Sequence, residues 1–195
     1  MLKKMIVIAF LAVSAFANHT AELNLNEKDL EVAGRIDMGQ FNMAVEPNTT
    51  FVGGKFLKAH EDHSSNNRVS LDPYYELNFL MMRDISNSGI RVGMGVKLNY
   101  TNKYSTLPLG LEMEYKIPSA RVIPIYLNGE FYYAPQVLSF HDAKDFLEYR
   151  ASIDIELIKN GRITLGYRNL DTDYDRLSGS FNYNESWYFG FKIGF

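Results

Sequence analysis

Apolar and polar residues alternate with a period of two along much of the chain, the mark of strands with one face in an apolar medium and the other in a polar one. From Ile90 to Tyr100, the residues Ile90, Val92, Met94, Val96, Leu98 and Tyr100 share one face, and Arg91, Gly93, Gly95, Lys97 and Asn99 the other. At about 3.3 Å per residue and a tilt near 45°, such a strand rises about 25 Å, the apolar height of an outer membrane. Leu107 to Lys116 repeats the pattern, with Leu107, Leu109, Leu111, Met113 and Tyr115 opposed by Glu112, Glu114 and Lys116. Leu147 to Leu157 sets Leu147, Tyr149, Ala151, Ile153, Ile155 and Leu157 against Glu148, Arg150, Ser152, Asp154 and Glu156. Ile163, Leu165 and Tyr167 oppose Arg162, Thr164 and Arg168. At the carboxyl end Trp187, Phe189, Phe191, Ile193 and Phe195 take every second position, with Ser186, Tyr188, Gly190, Lys192 and Gly194 between them.

Less regular segments at Ala21 to Asn26, Leu30 to Met38, Thr50 to Lys58, Tyr74 to Met82 and Ile123 to Tyr133 bring the strand count to ten. Eight is the alternative, should the first two form one irregular strand or lie outside the wall. The fold expected is all-β: a transmembrane, antiparallel, up-and-down β-barrel in a single domain over residues 18–195. An even strand number with both termini on one side is the rule of this class. Connections alternate in length as well. Asp84 to Gly89, Ile117 to Arg121 and Lys159 to Gly161 are tight, whereas Ala59 to Asp72, Ala134 to Phe146 and Asp171 to Glu185 are long and polar. Such barrels place short turns in the periplasm and long loops outside. Tyr100, Tyr115, Tyr133, Tyr149 and Trp187 lie near stripe ends, where an aromatic girdle meets the headgroups.

The amino terminus explains how such a chain leaves the cytoplasm. Lys3 and Lys4 precede the apolar run Met5 to Phe16, and Ala15-Phe16-Ala17 offers a small-x-small cleavage site. This reads as a Sec signal peptide over residues 1–17, cut after Ala17. The run is shorter than the ~20 residues a spanning helix needs. Composition agrees with a folded, strand-rich protein: 13 Tyr, 13 Phe and 1 Trp accompany only 6 Pro. The absence of cysteine removes disulfides, thiolate metal sites and thiol nucleophiles, and a formal net charge of −3 offers no basic field for nucleic acid.

The polar faces carry near-balanced charge. Arg91, Lys97, Lys116, Arg150, Arg162, Arg168 and Lys192 stand against Glu112, Glu114, Glu130, Glu148, Asp154 and Glu156. A small barrel is barely wider inside than the side chains that fill it, so these groups are expected to pair across the lumen. That makes the interior closed or very narrow, and a wide pore needs 16 or more strands.

Three constellations invite chemistry. His60-Glu61-Asp62-His63-Ser64-Ser65-Asn66 gathers metal-ligating and nucleophilic side chains, and His63-x-Ser65-Asn66 resembles the H-x-S-N motif of lipid A deacylases, where serine is the nucleophile and histidine its base. In that family the motif sits on a later strand with an acidic partner; here it lies between the third and fourth strands, and a solvated loop is the plainer reading. His141-Asp142, in the loop after Tyr133, is a second polar group for the same mouth. Asp171, Asp173 and Asp175 have the spacing that opens a calcium loop, but no Gly-then-Glu completes it. Glu112 and Glu114 could pair as in a glycosidase, although lumenal ion pairing accounts for them more simply. No cofactor or metal is expected.

The segments LPLGLEMEYKIP at Leu107 to Pro118, GEFYYAPQVLSF at Gly129 to Phe140, LEYRASIDIELI at Leu147 to Ile158, GYRNLDTDYD at Gly166 to Asp175 and YFGFKIGF at Tyr188 to Phe195 resemble the YfaZ-type outer-membrane proteins. The resemblance is closest over residues 70–195. It implies an outer-membrane barrel of a Gram-negative bacterium and brings no catalytic residues with it. The stripe Trp187, Phe189, Phe191, Ile193 and Phe195 likewise resembles the carboxy-terminal signal by which such proteins are recognised for insertion. The expected partners are outer-membrane lipids, lipopolysaccharide and the barrel-assembly machinery. A structural or surface-interacting role, or a narrow small-solute channel, is expected rather than an enzyme. A rim-located lipid hydrolase and a soluble periplasmic lipid-binding barrel are the alternatives.

Overall fold

A computed structural model describes residues 19–59, 72–86, 88–118, 123–141, 143–174 and 180–195. The segment read as a signal peptide, with the cleavage expected after Ala17, lies outside the described residues. Ten strands form the wall: β1 (Thr20–Leu25), β2 (Leu30–Asp37), β3 (Thr50–Lys58), β4 (Tyr74–Ile85), β5 (Ile90–Tyr100), β7 (Leu109–Lys116), β8 (Ile125–Ala134), β10 (Ala143–Ile158), β11 (Gly161–Tyr174) and β12 (Ser180–Gly194). Two short strands, β6 (Tyr104–Thr106) and β9 (Ser139–His141), pair with each other beside the mouth. Every neighbour is antiparallel, β12 returns to β1, and β4 pairs with β5, so the sheet closes on itself without edges. Ten wall strands replace the alternative of eight.

The first and last described residues meet at one rim, where His19 and Phe195 exchange backbone hydrogen bonds of 2.9 Å. The Lys159–Asn160 turn lies beside them, with Asn160 at φ 62° and its carbonyl accepting from Gly194 N–H at 2.7 Å. Asparagine tolerates that left-handed conformation, which a two-residue hairpin requires. The connection between β2 and β3 at this end is longer than expected, spanning residues 38–49. Asp37 holds it in shape by accepting from Gly39 and Asn48 N–H.

The long outer loops foreseen at Ala134 to Phe146 and Asp171 to Glu185 are corrected. β10 starts at Ala143, β11 runs on to Tyr174, and β12 begins at Ser180, so hairpins take up much of both segments. The β1–β2 turn reaches only to Trp187, whose carbonyl accepts from Asn26 at 3.2 Å. On that side the wall is therefore low, while β10 to β12 stand tall beyond it. Smaller shifts move the start of β7 from Leu107 to Leu109 and of β8 from Ile123 to Ile125, and extend β4 past Met82 to Ile85.

Outward positions are apolar around the ring. Leu23, Val32, Phe79, Val92, Leu111, Ile153, Leu165 and Phe191 all leave their side chains on the outside. In water such a contiguous apolar belt would be a large liability; in a bilayer it is the requirement. Tyr149, Tyr167 and Trp187 form an outward ladder, with ring centroids 6.1 and 5.4 Å apart across neighbouring strands. Tyr149 and Trp187 are two of the five rings expected in the girdle, and Tyr167 joins them. Inside, Tyr132 lies against Gly95 and Gly110, where an added Cβ would collide with its ring. Glycine on the wall thus makes room for a ring in the lumen.

Candidate functional site

The lumen is filled in three levels. At the outer end Leu57, Tyr74, Tyr104, Phe146, Leu170 and Tyr183 form a buried cluster, and the Tyr183 hydroxyl donates to the Asp72 carbonyl. β6 and β9 lie beside this plug. Thr101 holds the approach to β6 by accepting from Lys103 and Tyr104 N–H.

At mid-height, ion pairs cross the barrel. Glu148 is wholly buried and accepts from Lys55 at 2.8 Å and Lys97 at 2.9 Å. β3 and β10 are five strands apart in either direction around the ring, so Lys55–Glu148 spans the full diameter. Glu76 lies 2.6 Å from Lys55 and 3.5 Å from Lys97, and Glu130 is 3.5 Å from Lys97. The Lys97 ammonium also sits 3.9 Å from the Tyr132 ring centre, a favourable cation–π placement. Tyr132 donates to Glu112 at 2.8 Å, and Glu112 takes a two-pronged contact from Arg35 at 2.8 and 2.9 Å. On the other side, Glu31 receives Arg150 at 2.6 Å and Arg168 at 2.9 Å.

Below this layer lies the rim of His19 and Phe195. Lys192 reaches Asp154 at 3.1 Å and Glu22 at 3.5 Å, and Thr164 donates to Asp154 at 2.8 Å. Glu114 pairs with Arg162 at 2.9 Å and with Arg91 at 3.5 Å. A cavity of about 240 Å³ opens here, bordered by His19, Asn48, Asn160 and Phe195 at its mouth.

Of the lumenal charges named from sequence, Arg91, Lys97, Glu112, Glu114, Glu130, Glu148, Arg150, Asp154, Arg168 and Lys192 stand in ion pairs. Glu156 is the correction. It sits at the end of β10 and accepts from the Tyr126 hydroxyl at 2.8 Å, while Arg162 turns its guanidinium onto the Tyr126 ring at 3.6 Å. Sequence reasoning missed Glu22, Asp29, Glu31, Arg35, Lys55 and Glu76. All but Asp29 lie on β1 to β4, outside the strands whose polar-face charges are counted above, and Asp29 sits in the β1–β2 turn.

His63 and Ser65 fall outside the described residues, as do Asp142 and Asp175. His141 lies on β9, 3.4 Å from the Ser105 hydroxyl of β6. Asp171 and Asp173 occupy alternate positions on β11 facing away from the lumen. Glu112 and Glu114 are each engaged by their own arginines. Trp187, Phe189, Phe191 and Ile193 face outward, and the Phe195 ring lies edge-on to His19 at 6.0 Å.

Asp29 accepts from Asn26 at 2.7 Å, Asn184 at 2.8 Å and Arg168 at 3.2 Å. Burial opposes its ionisation, but the asparagine amides and the Arg168 charge outweigh it and hold the carboxyl below the ordinary aspartate value. A depressed carboxyl stabilises the fold fully above its unfolded pKa of about 3.9 and loses that contribution as pH falls through the lower folded value. The stability gap between wild type and Asp29→Asn is thus expected to hold constant from about pH 8 to 5 and to shrink only below about pH 4. Urea titrations across that range measure it, and a gap already closing between neutrality and pH 5 would contradict the assignment.

A closed antiparallel barrel with an apolar exterior and ion pairs within is a membrane barrel of the outer-membrane kind. Among solved structures the chain is similar to a KdgM porin, with a TM-score of 0.46 and 10% sequence identity over 91% of this chain and 98% of that one. No curated protein matches it. The profile of the YfaZ precursor family matches residues 2–195, nearly the whole sequence, and the chain belongs to that family.

Proposed function

We propose that this protein serves as a closed barrel in the outer membrane, with a structural and surface-facing role and no standing pore. The observation that carries this reading is the outer plug: Leu57, Tyr74, Phe146 and Leu170 are wholly buried inside the wall, directly above a charge network that bridges its diameter. What remains for partners is the tall polar wall of β10 to β12, together with lipid and lipopolysaccharide around the belt. In this reading the leader is removed after Ala17, and the assembly machinery reads the stripe from Trp187 to Phe195. Purified protein in planar bilayers is expected to give no steady current above the bare-membrane baseline. A reproducible, ion-selective conductance from the wild-type protein would overturn the closed-barrel role and favour a narrow solute channel.

A further inference from the structure

Where β12, β1 and β2 stand side by side, the wall is short for the membrane around it. Trp187 marks the upper edge of the lipid there, and the outward stripe of β12 ends six residues later at Ile193. The outward stripe of β2 runs from Leu30 to Ile36, again six residues. Six residues at about 3.3 Å each, tilted near 45°, descend about 14 Å, which leaves about 11 Å of a roughly 25 Å apolar band with no strand to face it. On β5, across the barrel, the stripe from Tyr100 to Ile90 descends about 23 Å by the same measure, so the far side has almost no such deficit.

The connection from β2 to β3 begins where the short stripe stops. Its backbone is held in place: Asn42 accepts from Ala44 N–H at 3.0 Å, the Thr49 carbonyl from Met82 N–H at 2.7 Å, and the Asn48 carbonyl from Arg91 at 2.6 Å. Gly39 lies so close to Pro47 that an added Cβ would collide with it. In this ordered frame Phe41 is nevertheless 67% exposed and Met43 fully exposed, just past the outward Ile36. Glu46 pairs at 2.7 Å with Arg83, which shares the outward parity of Phe79 and Met81 on β4, so the connection reaches the lipid-facing side of the wall. Holding Phe and Met out from an ordered loop is unfavourable in water and favourable at a bilayer boundary, where an arginine also extends its head to the phosphates. We propose that residues 38–49 form an in-plane anchor in the periplasmic leaflet. Phe41 and Met43 seat at its boundary of headgroups and acyl chains, continuing the apolar belt below the short strands, with Arg83 at the level of the phospholipid phosphates. The anchor rests on the barrel lying in a bilayer, and its test separates the two.

The chain has no cysteine, so single spin labels can be placed on the folded protein in phospholipid vesicles. Met43→Cys carries the test, with Val92→Cys as the lipid reference and Asp173→Cys as the aqueous one. Each label is read by its relaxation from oxygen against that from a water-soluble nickel chelate. Met43 is fully exposed, so its replacement should leave heat-modifiable gel migration unchanged. The oxygen-to-nickel ratio at position 43 is expected to exceed that at 173 by at least about fivefold, as for an apolar group seated in the interface. A ratio at 43 equal to that at 173, with 92 still favouring oxygen, overturns the anchor and leaves the membrane barrel standing. Protection of 43 from both reagents, with dipolar broadening in the fully labelled sample, means that a second copy covers the loop and overturns it too. Nickel favoured at 92 as well would overturn the bilayer reading and the anchor together.

Discussion

Glu148→Leu is expected to lower the stability of the folded barrel by about 3–5 kcal/mol, the cost of removing one partner from a buried ion pair. Glu148 is wholly enclosed and is the carboxylate on which Lys55 and Lys97 converge from β3 and β5 across the lumen. Without it the two ammonium groups must share Glu76 and Glu130. Urea unfolding in lipid vesicles, read by the shift between folded and unfolded bands on a gel, measures the loss. Because the pair is in direct contact, Lys97→Met combined with Glu148→Leu should cost less than the two single changes together. A single-variant cost below about 1 kcal/mol would mean that the charges are solvated and that the mid-level of the lumen is wet.

Phe191→Arg should be nearly as damaging for the opposite reason. Phe191 faces outward, paired with Leu23 on β1 and Ile163 on β11, well below the Trp187 girdle. Arginine on the lipid face near the midplane of a membrane barrel costs about 2–4 kcal/mol and approaches zero toward the interface. Asp173→Arg, also outward but on the tall part of β11, is the matched control and should cost less than about 1 kcal/mol. The same unfolding assay in vesicles reads both. Equal costs at the two heights would contradict a lipid-facing belt, since a water-facing sheet has no such depth dependence.

Much of the wall was legible because lipid enforces strict alternation. In β5 every outward position from Ile90 to Tyr100 is apolar, and in β12 the stripe runs unbroken from Trp187 to Ile193. The signal vanishes where the constraint does. Beyond the girdle the outward face of β10 to β12 turns polar, at Lys144, Asn169, Asp171, Asp173 and Glu185, while Phe146, Leu170 and Tyr183 face inward, so the lipid-facing stripe is lost and strand reads as loop. β6 and β9 are three residues each and carry no period at all. On β4 the inward face holds Tyr74, Leu80 and Met82 beside Glu76 and Asn78, which blurs the contrast with outward Tyr75, Leu77, Phe79 and Met81.

The site was half legible for a related reason. Charges on the regular strands were countable from alternation, yet their partners across the diameter were not, because pairing over the lumen depends on register and tilt. Glu22 and Glu31 lay within reach of the same reasoning: TAELNL alternates cleanly, and in LEVAGRID only Gly34 interrupts the outward stripe Leu30, Val32, Ile36.

The junction of β1 with β12 holds six residue pairs, Thr20↔Gly194 to Leu25↔Phe189, against thirteen between β11 and β12. It is also the line along which the polypeptide itself is not continuous. Its six pairs equal those of β1 with β2, but here strand pairing closes the wall without a hairpin to help it. A slit along it would bare one edge of β12 to the bilayer and bring membrane-embedded molecules beside Lys192 and Glu22. The cylinder is therefore closed on one side by strand pairing alone.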